Sequence, residues 1–268
     1  MRMKFEVITI FPDFFRGPFD FGIIRRAKEA GLVEINIHDL RAFTKDKHRT
    51  VDDRPFGGGE GMVLKPEPIF ECIETFCSAD ALVRDKRRES VILLSAAGQT
   101  FNQRIASELA QLDRITIICG RYEGVDERVA EHIADREISI GDFVLSGGEL
   151  AAALIVDTVT RLLPGALGNE ASSKQESFTH GEHVVEGLPN STCGSGGLLD
   201  YPHYTRPAEF RGMPVPEPLM NGNHDEIRRW RRKEALKKTL RNRPELLDGI
   251  ELSKEDRKLL DQLRSEKI

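Results

Sequence analysis

The chain has 268 residues, of which 39% are hydrophobic, and a formal net charge of −5. Its mean hydropathy is −0.38, and no apolar run reaches the roughly 18 residues that a membrane-spanning helix requires. The first residues read as a strand rather than a secretory signal, and the four cysteines lack metal-site spacing. We therefore expect a cytoplasmic globular protein of one or two domains, with reduced thiols and no membrane contact.

Apolar patterning in the first part of the chain predicts strands that alternate with helices. The predicted strands cover residues 4–11, 32–38, 91–94, 115–119 and 137–140. One predicted helix ends at Gly31, and others cover residues 69–76, 101–112, 126–133 and 148–163. Alternation of this kind indicates a parallel α/β sheet.

Pro164 ends this regular pattern. Residues 165–199 are rich in Gly, Ser, Asn and Glu and predict a long flexible linker. The remaining residues read as helices and turns, with a last helix over 254–265. The predicted organisation is therefore an α/β domain over 1–164, the linker over 165–199 and a small helical domain over 200–268.

The charge of the chain is distributed unevenly. Residues 227–243 contain nine lysines and arginines against one glutamate, a local charge of +8, which leaves about −13 for the rest of the chain. A basic helix on an acidic protein is either a binding patch for a polyanion or a solvated helix face. The charge pattern alone leaves both interpretations open.

Three glycine-bearing segments follow predicted strands, over residues 94–99, 120–124 and 140–148. Loops at the carboxyl ends of parallel strands bind ligands in open α/β sheets, and glycine lets a ligand approach the backbone. Together these segments predict a pocket for a flat, neutral ring such as adenine. The sequence lacks the glycine fingerprints of Rossmann and P-loop proteins, and the glycines at 57–61 could form either a phosphate cradle or a turn.

Several polar residues have both a functional and a structural interpretation. Asp200 lies among aromatic side chains and two prolines, as a general base or as a capping residue. His203 is either a base or a hydrogen-bonded structural residue, and Arg161 either binds a ligand or complements a helix C-terminus. Glu123 also has a structural interpretation, as an acidic residue near a helix start, where a negative charge complements the helix dipole.

The motifs as a group resemble the bacterial tRNA (guanine-N1)-methyltransferases, over residues 4 to about 265. The matching motifs are RPFGGGEGM at 54–62, GRYEG at 120–124, SIGD at 139–142, LSGGEL at 145–150, GLLDYPHYTRP at 197–207 and GNHDEIRRWR at 222–231. The family belongs to the SPOUT methyltransferases, so the resemblance implies a SPOUT-type parallel sheet with a deep trefoil knot. The knot would surround the three glycine-bearing segments.

The resemblance also implies an activity. It implies methyl transfer from S-adenosyl-L-methionine to N1 of the guanosine immediately 3′ of the anticodon, which maintains the reading frame. It implies a homodimer with its active site at the subunit interface, and it brings Mg²⁺ as a candidate requirement. No metal ligands are assigned, and Glu123 is the only candidate neighbour of such an ion.

Residue roles carry over from the family motifs one by one. Asp200 falls on the general base and Arg161 on the arginine that contacts the guanine. Arg228, Arg229, Arg231, Arg232, Lys233 and His203 become candidates for tRNA binding. The cofactor pocket falls on Leu94, Ser95, Gly98, Gly120, Arg121, Tyr122, Glu123, Gly124, Ser139, Ile140, Gly141, Val144, Leu145, Gly147 and Gly148.

Two departures from the family pattern stand out. Ala96 and Ala97 occupy positions where the family commonly has Pro and Gln, and the segment 179–196 is about fifteen residues longer than the usual link, at a small loop-closure cost.

Two other functions fit the sequence: that of a SPOUT enzyme that methylates ribose hydroxyls or an rRNA base, and that of an RNA-binding protein without activity. The position of the methyl group on the product distinguishes the first, and absence of methyl transfer would indicate the second.

Overall fold

The computed structural model describes residues 2–76, 85–168, 176–179 and 195–265. The chain divides into two compact units, Met1–Gly168 and Asn169–Ile268, each of which is described by itself. Within the described ranges, no helix is long and apolar enough to cross a membrane.

The first unit contains a five-stranded parallel sheet in the order β2-β1-β6-β5-β7. The parallel α/β arrangement predicted from the sequence is confirmed. Its strands are β1 Met3–Thr9, β2 Val33–Asp39, β5 Glu89–Thr100, β6 Arg114–Cys119 and β7 Arg136–Ser139, and β3 Asp52–Asp53 pairs with β4 Val63–Leu64 in a separate ladder. Its helices are α1 Gly22–Glu29, α2 Pro66–Glu74, α3 Gln103–Leu109, α4 Glu127–His132 and α5 Glu149–Thr160.

The central strands are buried on both faces, which explains why their sequences are mostly apolar. Side chains alternate between the faces of a strand. Accordingly, Ile92 and Ile117 pack into the cluster that contains α5, whereas Leu93 and Ile118 pack into the cluster that contains α2. This double burial fixes the register of the strands whose ends carry the site.

Strand β5 differs from the prediction. The sequence indicates that it ends at Leu94, but the strand continues to Thr100. Leu94 and Gln99 both pair with Ile138 of β7, so four extra residues form a bulge between them. A bulge removes residues from the ladder and redirects their backbone. The predicted loop is therefore an interruption within a strand, with its residues still at the sheet edge.

The second unit is built around α6 His224–Asn242 and α7 Lys254–Ser265. Its core is a small leucine cluster of Leu198, Leu236, Leu247, Leu260 and Leu263. The expectation of helices and turns alone was wrong here, because β8 Glu209–Phe210 and β9 Met213–Pro214 form a short antiparallel ladder. Gly212, with a φ of 76°, provides the turn between them.

Most of the predicted linker and its extra segment lies outside the described residues, at 169–175 and 180–194. The residues on either side of the second gap are hydrogen bonded to each other. Ser195 donates its backbone N–H to Oγ1 of Thr179 at 3.4 Å, and Gly197 donates to the Thr179 carbonyl at 3.0 Å. Ser195 and Gly197 therefore lie against Thr179, shortly before Asp200 in the chain.

An ion pair joins the two long helices of this unit. Arg232 donates from Nε and Nη2 to the two carboxylate oxygens of Asp256 at 2.7 and 2.9 Å, and from Nη1 to the Ser195 carbonyl at 3.1 Å. Asp256 also caps α7 reciprocally with Ser253. Burial favours the neutral acid, but the hydrogen bonds and charge of Arg232 outweigh it, so the pKa of Asp256 lies below its ordinary value.

We predict that Asp256→Asn destabilises the protein in a pH-dependent way. The pKa of Asp256 is lower in the folded state than in the unfolded state, so the pair stabilises fully above pH ~4 and the stabilisation is lost as the pH falls through the folded-state pKa. At pH 7 the expected loss is about 2 kcal/mol, below that of a fully buried pair because Arg232 is 33% exposed. Urea unfolding at pH 7 and at low pH measures the difference, with exposed Asp261→Asn as the control. Equal losses at both pH values would contradict this account.

Candidate functional site

A cavity of about 400 Å³ lies at the carboxyl ends of β5, β6 and β7. Its volume falls in the range of small-molecule sites. The bulge of β5, the loop after β6 and the loop between β7 and α5 all contribute to its wall, as the three glycine-bearing segments predict. Of the predicted cofactor residues, the structure places Leu94, Ser95, Gly120, Arg121, Tyr122, Glu123, Gly124, Ser139, Ile140, Val144, Leu145, Gly147 and Gly148 in the lining.

Gly98 and Gly141, which were also predicted to bind cofactor, lie outside the lining. A Cβ on Gly98 would lie 2.4 Å from the backbone nitrogen of Ile138, so this glycine lets the bulge of β5 pack on β7. Gly141 has a φ of 148°, and a Cβ there would lie 2.5 Å from the Phe143 ring. Both glycines therefore shape the loops rather than form the wall.

The loops pack against each other through their backbones. Gly148 donates its N–H to the Gly120 carbonyl at 2.9 Å, and Arg121 forms an antiparallel bridge with Gly147. A Cβ on Gly120 would lie 2.9 Å from the Leu94 carbonyl oxygen. The cavity wall is thus formed by closely packed main chains. These leave no room for a side chain at Gly120.

A buried carboxylate lies behind this wall. Glu149, the first residue of α5, is 2% exposed and accepts hydrogen bonds from Oγ1 of Thr9 at 2.8 Å and Nε of Arg121 at 3.2 Å. The Arg121 guanidinium also lies 4.4 Å from the centre of the Phe11 ring. Glu149 therefore links β1, the loop after β6 and the start of α5.

The same surroundings make Cys119 unreactive. Burial raises the pKa of its thiol well above the ordinary value, and the charge of Glu149 raises it further. A thiol in that state is neither a nucleophile nor a metal ligand at neutral pH. Its role is packing under the cavity, as the sequence predicts for the cysteines.

We predict that Glu149→Ala lowers the free energy of unfolding by about 3 kcal/mol, because Arg121 loses its buried counter-charge. The loop that carries Arg121 should also loosen, and the cavity should bind S-adenosyl-L-methionine, the donor that the motif resemblance implies, more weakly. Urea unfolding and calorimetric titration measure the two effects. Glu127→Ala is the matched control, since Glu127 also begins a helix but is exposed. If the two variants behaved alike, Glu149 would have no role in positioning the loop.

The glycine-rich loop at 57–61 approaches the cavity wall at one point. Glu123 donates its backbone N–H to the Met62 carbonyl at 3.0 Å, and a Cβ on Gly61 would lie 2.5 Å from Cγ of Glu123. Among the described residues, no group of three His, Cys, Asp or Glu side chains forms a metal site. Glu123 alone does not provide the ligand set of a metal cage, so no chemical step is assigned to Mg²⁺.

Asp200 belongs to the second unit, where neighbouring residues hold its carboxylate. The Tyr201 backbone N–H donates to Oδ1 at 2.8 Å, and Nε2 of His203 lies 2.9 Å from Oδ2. The Asp200 backbone N–H donates to Oγ of Ser177 at 2.9 Å. The carboxylate is therefore oriented by local contacts, and the side chain of His203 is 67% exposed.

Arg161 is the C-cap residue of α5 in the first unit, at the end where a cation complements the helix dipole.

The candidate tRNA-binding residues all lie in the second unit. Arg228 and Arg229 are exposed on α6, Arg228 pairs with Asp225, Arg231 lies over the Tyr201 ring at 4.8 Å, and Lys233 is half-buried. Arg232 differs from the prediction, because its guanidinium is engaged by Asp256 and Ser195. Its contacts make it a structural residue of the unit.

Comparison with known proteins yields one consistent family. The family model described as "tRNA (Guanine-1)-methyltransferase TrmD" matches residues 3–249. A protein of Koribacter versatilis named tRNA (guanine-N(1)-)-methyltransferase is 65% identical over 266 residues, which cover 99% of this chain and 100% of that protein. Proteins of the same name from Dehalococcoides mccartyi and Dictyoglomus turgidum are 52% and 51% identical, each over 98% of both chains. The resemblance drawn from the motifs is confirmed.

Proposed function

The chain belongs to the tRNA (guanine-1)-methyltransferase family, and we propose that it methylates N1 of the guanosine immediately 3′ of the anticodon with S-adenosyl-L-methionine as donor. The observation that carries the proposal is the cavity at the bulge of β5 and the ends of β6 and β7, whose wall contains residues of the GRYEG, SIGD and LSGGEL motifs. The activity of the family requires tRNA, so we place the protein in the cytoplasm.

The cavity fits the proposed donor in size and chemistry. Its volume of about 400 Å³ suits a nucleoside with a short side chain. Leu94, Ile140 and Leu145 offer apolar contacts to an adenine ring, while the backbone groups of the glycine-bearing loops offer hydrogen bonds. Bound there, S-adenosyl-L-methionine would supply the methyl group of its sulfonium ion, and the bond from this carbon to sulfur would break as the bond to the acceptor nitrogen forms, leaving a neutral thioether.

The acceptor must lose a proton before it becomes a good nucleophile. A carboxylate within hydrogen-bond reach of guanine N1 removes that proton, and Asp200 is the proposed base. Negative charge then grows on the guanine toward O6. Arg161 stays charged at all relevant pH values and donates from a planar fork, so it is the proposed group that stabilises this charge.

The proposed assembly is a homodimer, in which Asp200 of one copy serves the cavity of the other. The support is an exposed apolar surface beside the cavity in the first unit. Phe143 and Val144 are 55% and 87% exposed, and Leu150 and Leu154, one turn apart on α5, are 56% and 42% exposed. Exposed large apolar side chains of this kind suit burial in a protein interface.

We also propose that the first unit has the deep trefoil knot of the SPOUT fold. The support is twofold. The sheet order places β6 between β1 and β5, and the loops after β6 and β7 are joined by the Gly148–Gly120 hydrogen bond and the Arg121–Gly147 bridge.

The basic face of α6, with Arg228, Arg229 and Arg231, is the proposed contact to tRNA phosphates. The affinity for tRNA should therefore fall steeply as the salt concentration rises.

Identification of the methylated nucleoside tests the proposal. The protein is incubated with isotopically labelled S-adenosyl-L-methionine and an unmodified tRNA transcript, and the digested RNA is analysed by mass spectrometry. We expect labelled 1-methylguanosine, and no label in a transcript with adenosine in place of the target guanosine. A label on a ribose hydroxyl or on another base would overturn the proposal.

A further inference from the structure

The second unit has a cavity of its own, of about 550 Å³. Its wall contains four ring-bearing side chains and two arginines: Tyr201, His203, Tyr204, Trp230, Arg206 and Arg231. Tyr201 and His203 lie shortly after Asp200 in the chain and contact its carboxylate through the Tyr201 backbone N–H and the His203 ring. Of this group, His203 and Arg231 are candidates for tRNA binding from the family motifs, whereas Tyr201, Tyr204 and Trp230 have no role assigned from them.

The rings form two adjoining pairs that border the cavity. Tyr204 and Trp230 lie with ring centres 6.1 Å apart in an edge-to-face arrangement, and Tyr201 and His203 lie 4.8 Å apart. Tyr204 is 50% exposed, and Trp230 is half-buried. A partly exposed aromatic side chain such as Tyr204 can provide a platform for a flat ligand.

The charges around the cavity indicate an anionic ligand. The Arg231 guanidinium lies 4.8 Å from the Tyr201 ring centre, and Arg206 is exposed at the wall. Exposed Arg228 and Arg229 continue the positive charge along α6. A flat ring attached to a negatively charged chain is the chemistry of an unpaired nucleotide.

We propose that this cavity binds one unstacked base of the tRNA, distinct from the guanine that is methylated, with the adjoining phosphate held by Arg231. The proposal rests on the proposed function in that the ligand is a tRNA. Because stacking contacts every base by its ring face, the cavity should accept different bases with little preference. It would act as an anchor beside Asp200 rather than as a reader of sequence.

Trp230 makes the proposal directly measurable, because it is the only tryptophan in the sequence. Its fluorescence therefore reports on this cavity in the full-length protein. We expect saturable quenching when the protein is titrated with an unmodified tRNA transcript, and weaker, salt-sensitive quenching with a single-stranded RNA oligomer. Unchanged Trp230 emission at saturating concentrations of both RNAs would overturn the proposal.

Substitution of Tyr204 gives an independent test. Tyr204→Ala should raise the KM for tRNA on the order of tenfold with kcat little changed, and Tyr204→Phe should retain the wild-type KM, since stacking needs the ring rather than the hydroxyl. Phe210→Ala is the matched control, because Phe210 is also an exposed aromatic residue of this unit but does not line the cavity. Thermal unfolding checks that each variant folds.

The outcomes separate this inference from the proposed function. If the wild-type protein methylates tRNA but Tyr204→Ala has an unchanged KM, the base-binding cavity is refuted and the activity stands. If the wild-type protein methylates no tRNA, the proposed function fails, and quenching by the RNA oligomer still decides the cavity. Dissociation of a dimer by Tyr204→Ala, with tRNA affinity retained, would assign the cavity to an interface and refute the proposal.

Discussion

Asp200→Asn is expected to lower the rate of methyl transfer on the order of a hundredfold or more, while binding of S-adenosyl-L-methionine stays unchanged. Guanine N1 is a poor nucleophile as long as it carries its proton, and an amide in place of the carboxylate cannot accept that proton. The substitution keeps the shape of the side chain. Its amide oxygen can still accept the Tyr201 N–H, so the local backbone should be preserved.

Single-turnover assays with labelled donor measure the rate, and calorimetry measures donor affinity. Asp261→Asn, on the exposed face of α7, is the control for the same change in net charge. Near-wild-type turnover of Asp200→Asn would remove Asp200 from the role of base. A loss of donor affinity in that variant would instead indicate that the substitution disturbs the fold.

A second readout separates proton transfer from a merely structural role. If Asp200 removes the proton, the loss in Asp200→Asn should fall on kcat, with the KM for tRNA little changed. His203→Gln tests the neighbouring contact, since His203 lies 2.9 Å from Oδ2 of Asp200. We expect a smaller loss in this variant than in Asp200→Asn, because the base itself remains.

The sequence predicts the sheet well for a physical reason. Strands such as β6 are buried on both faces, so the sequence of β6 is dominated by isoleucine, with the buried Thr116 as its one polar residue after Arg114. The last helix, α7, begins at Lys254 as predicted, and Ser253 and Asp256 form a capping pair at that start. Local signals of this kind do not depend on distant contacts.

Other features depend on pairs of residues far apart in the chain, and the sequence alone does not reveal them. The bulge of β5 exists because Leu94 and Gln99 both meet Ile138, which is set by the register with β7. Arg232 lies within the basic run, but its charge is engaged by Asp256. Glu149 stands within the LSGGEL motif, yet its contacts to Thr9 and Arg121 could not be read from that motif.

In the candidate site, too, some features can be predicted from the sequence and others depend on contacts between residues far apart in the chain. Glycines mark the loops in the sequence, so the cavity could be predicted, but only the structure separates the glycines that line it from those that let main chains pack. Gly98 illustrates the second group, since a Cβ there would lie 2.4 Å from the backbone nitrogen of Ile138. Gly147 lines the cavity, and a Cβ there would lie 2.2 Å from Nε of Arg121 and would displace the Arg121–Glu149 pair. Gly148 is the more rigid case, because its nearest neighbours are backbone atoms.

Gly148→Ala should therefore cause the largest loss of donor binding among single methyl additions to this wall. An alanine Cβ would lie 2.8 Å from Cα of Cys119 and 3.1 Å from the backbone nitrogen of Gly120, neither of which can rotate away. The φ of Gly148 is −77°, a value that alanine adopts without strain, so the effect would be steric alone. We expect donor affinity to fall at least tenfold and the free energy of unfolding to fall by about 1–3 kcal/mol.

Calorimetric titration with S-adenosyl-L-methionine and urea unfolding measure the two quantities. Gly168→Ala is the matched control, since a Cβ there meets no atom within 4 Å. Both effects should appear together, because the hydrogen bond from Gly148 to Gly120 that closes the wall cannot form once the two loops are pushed apart. If Gly148→Ala bound the donor as tightly as Gly168→Ala, the close packing of these loops could not be what shapes the site.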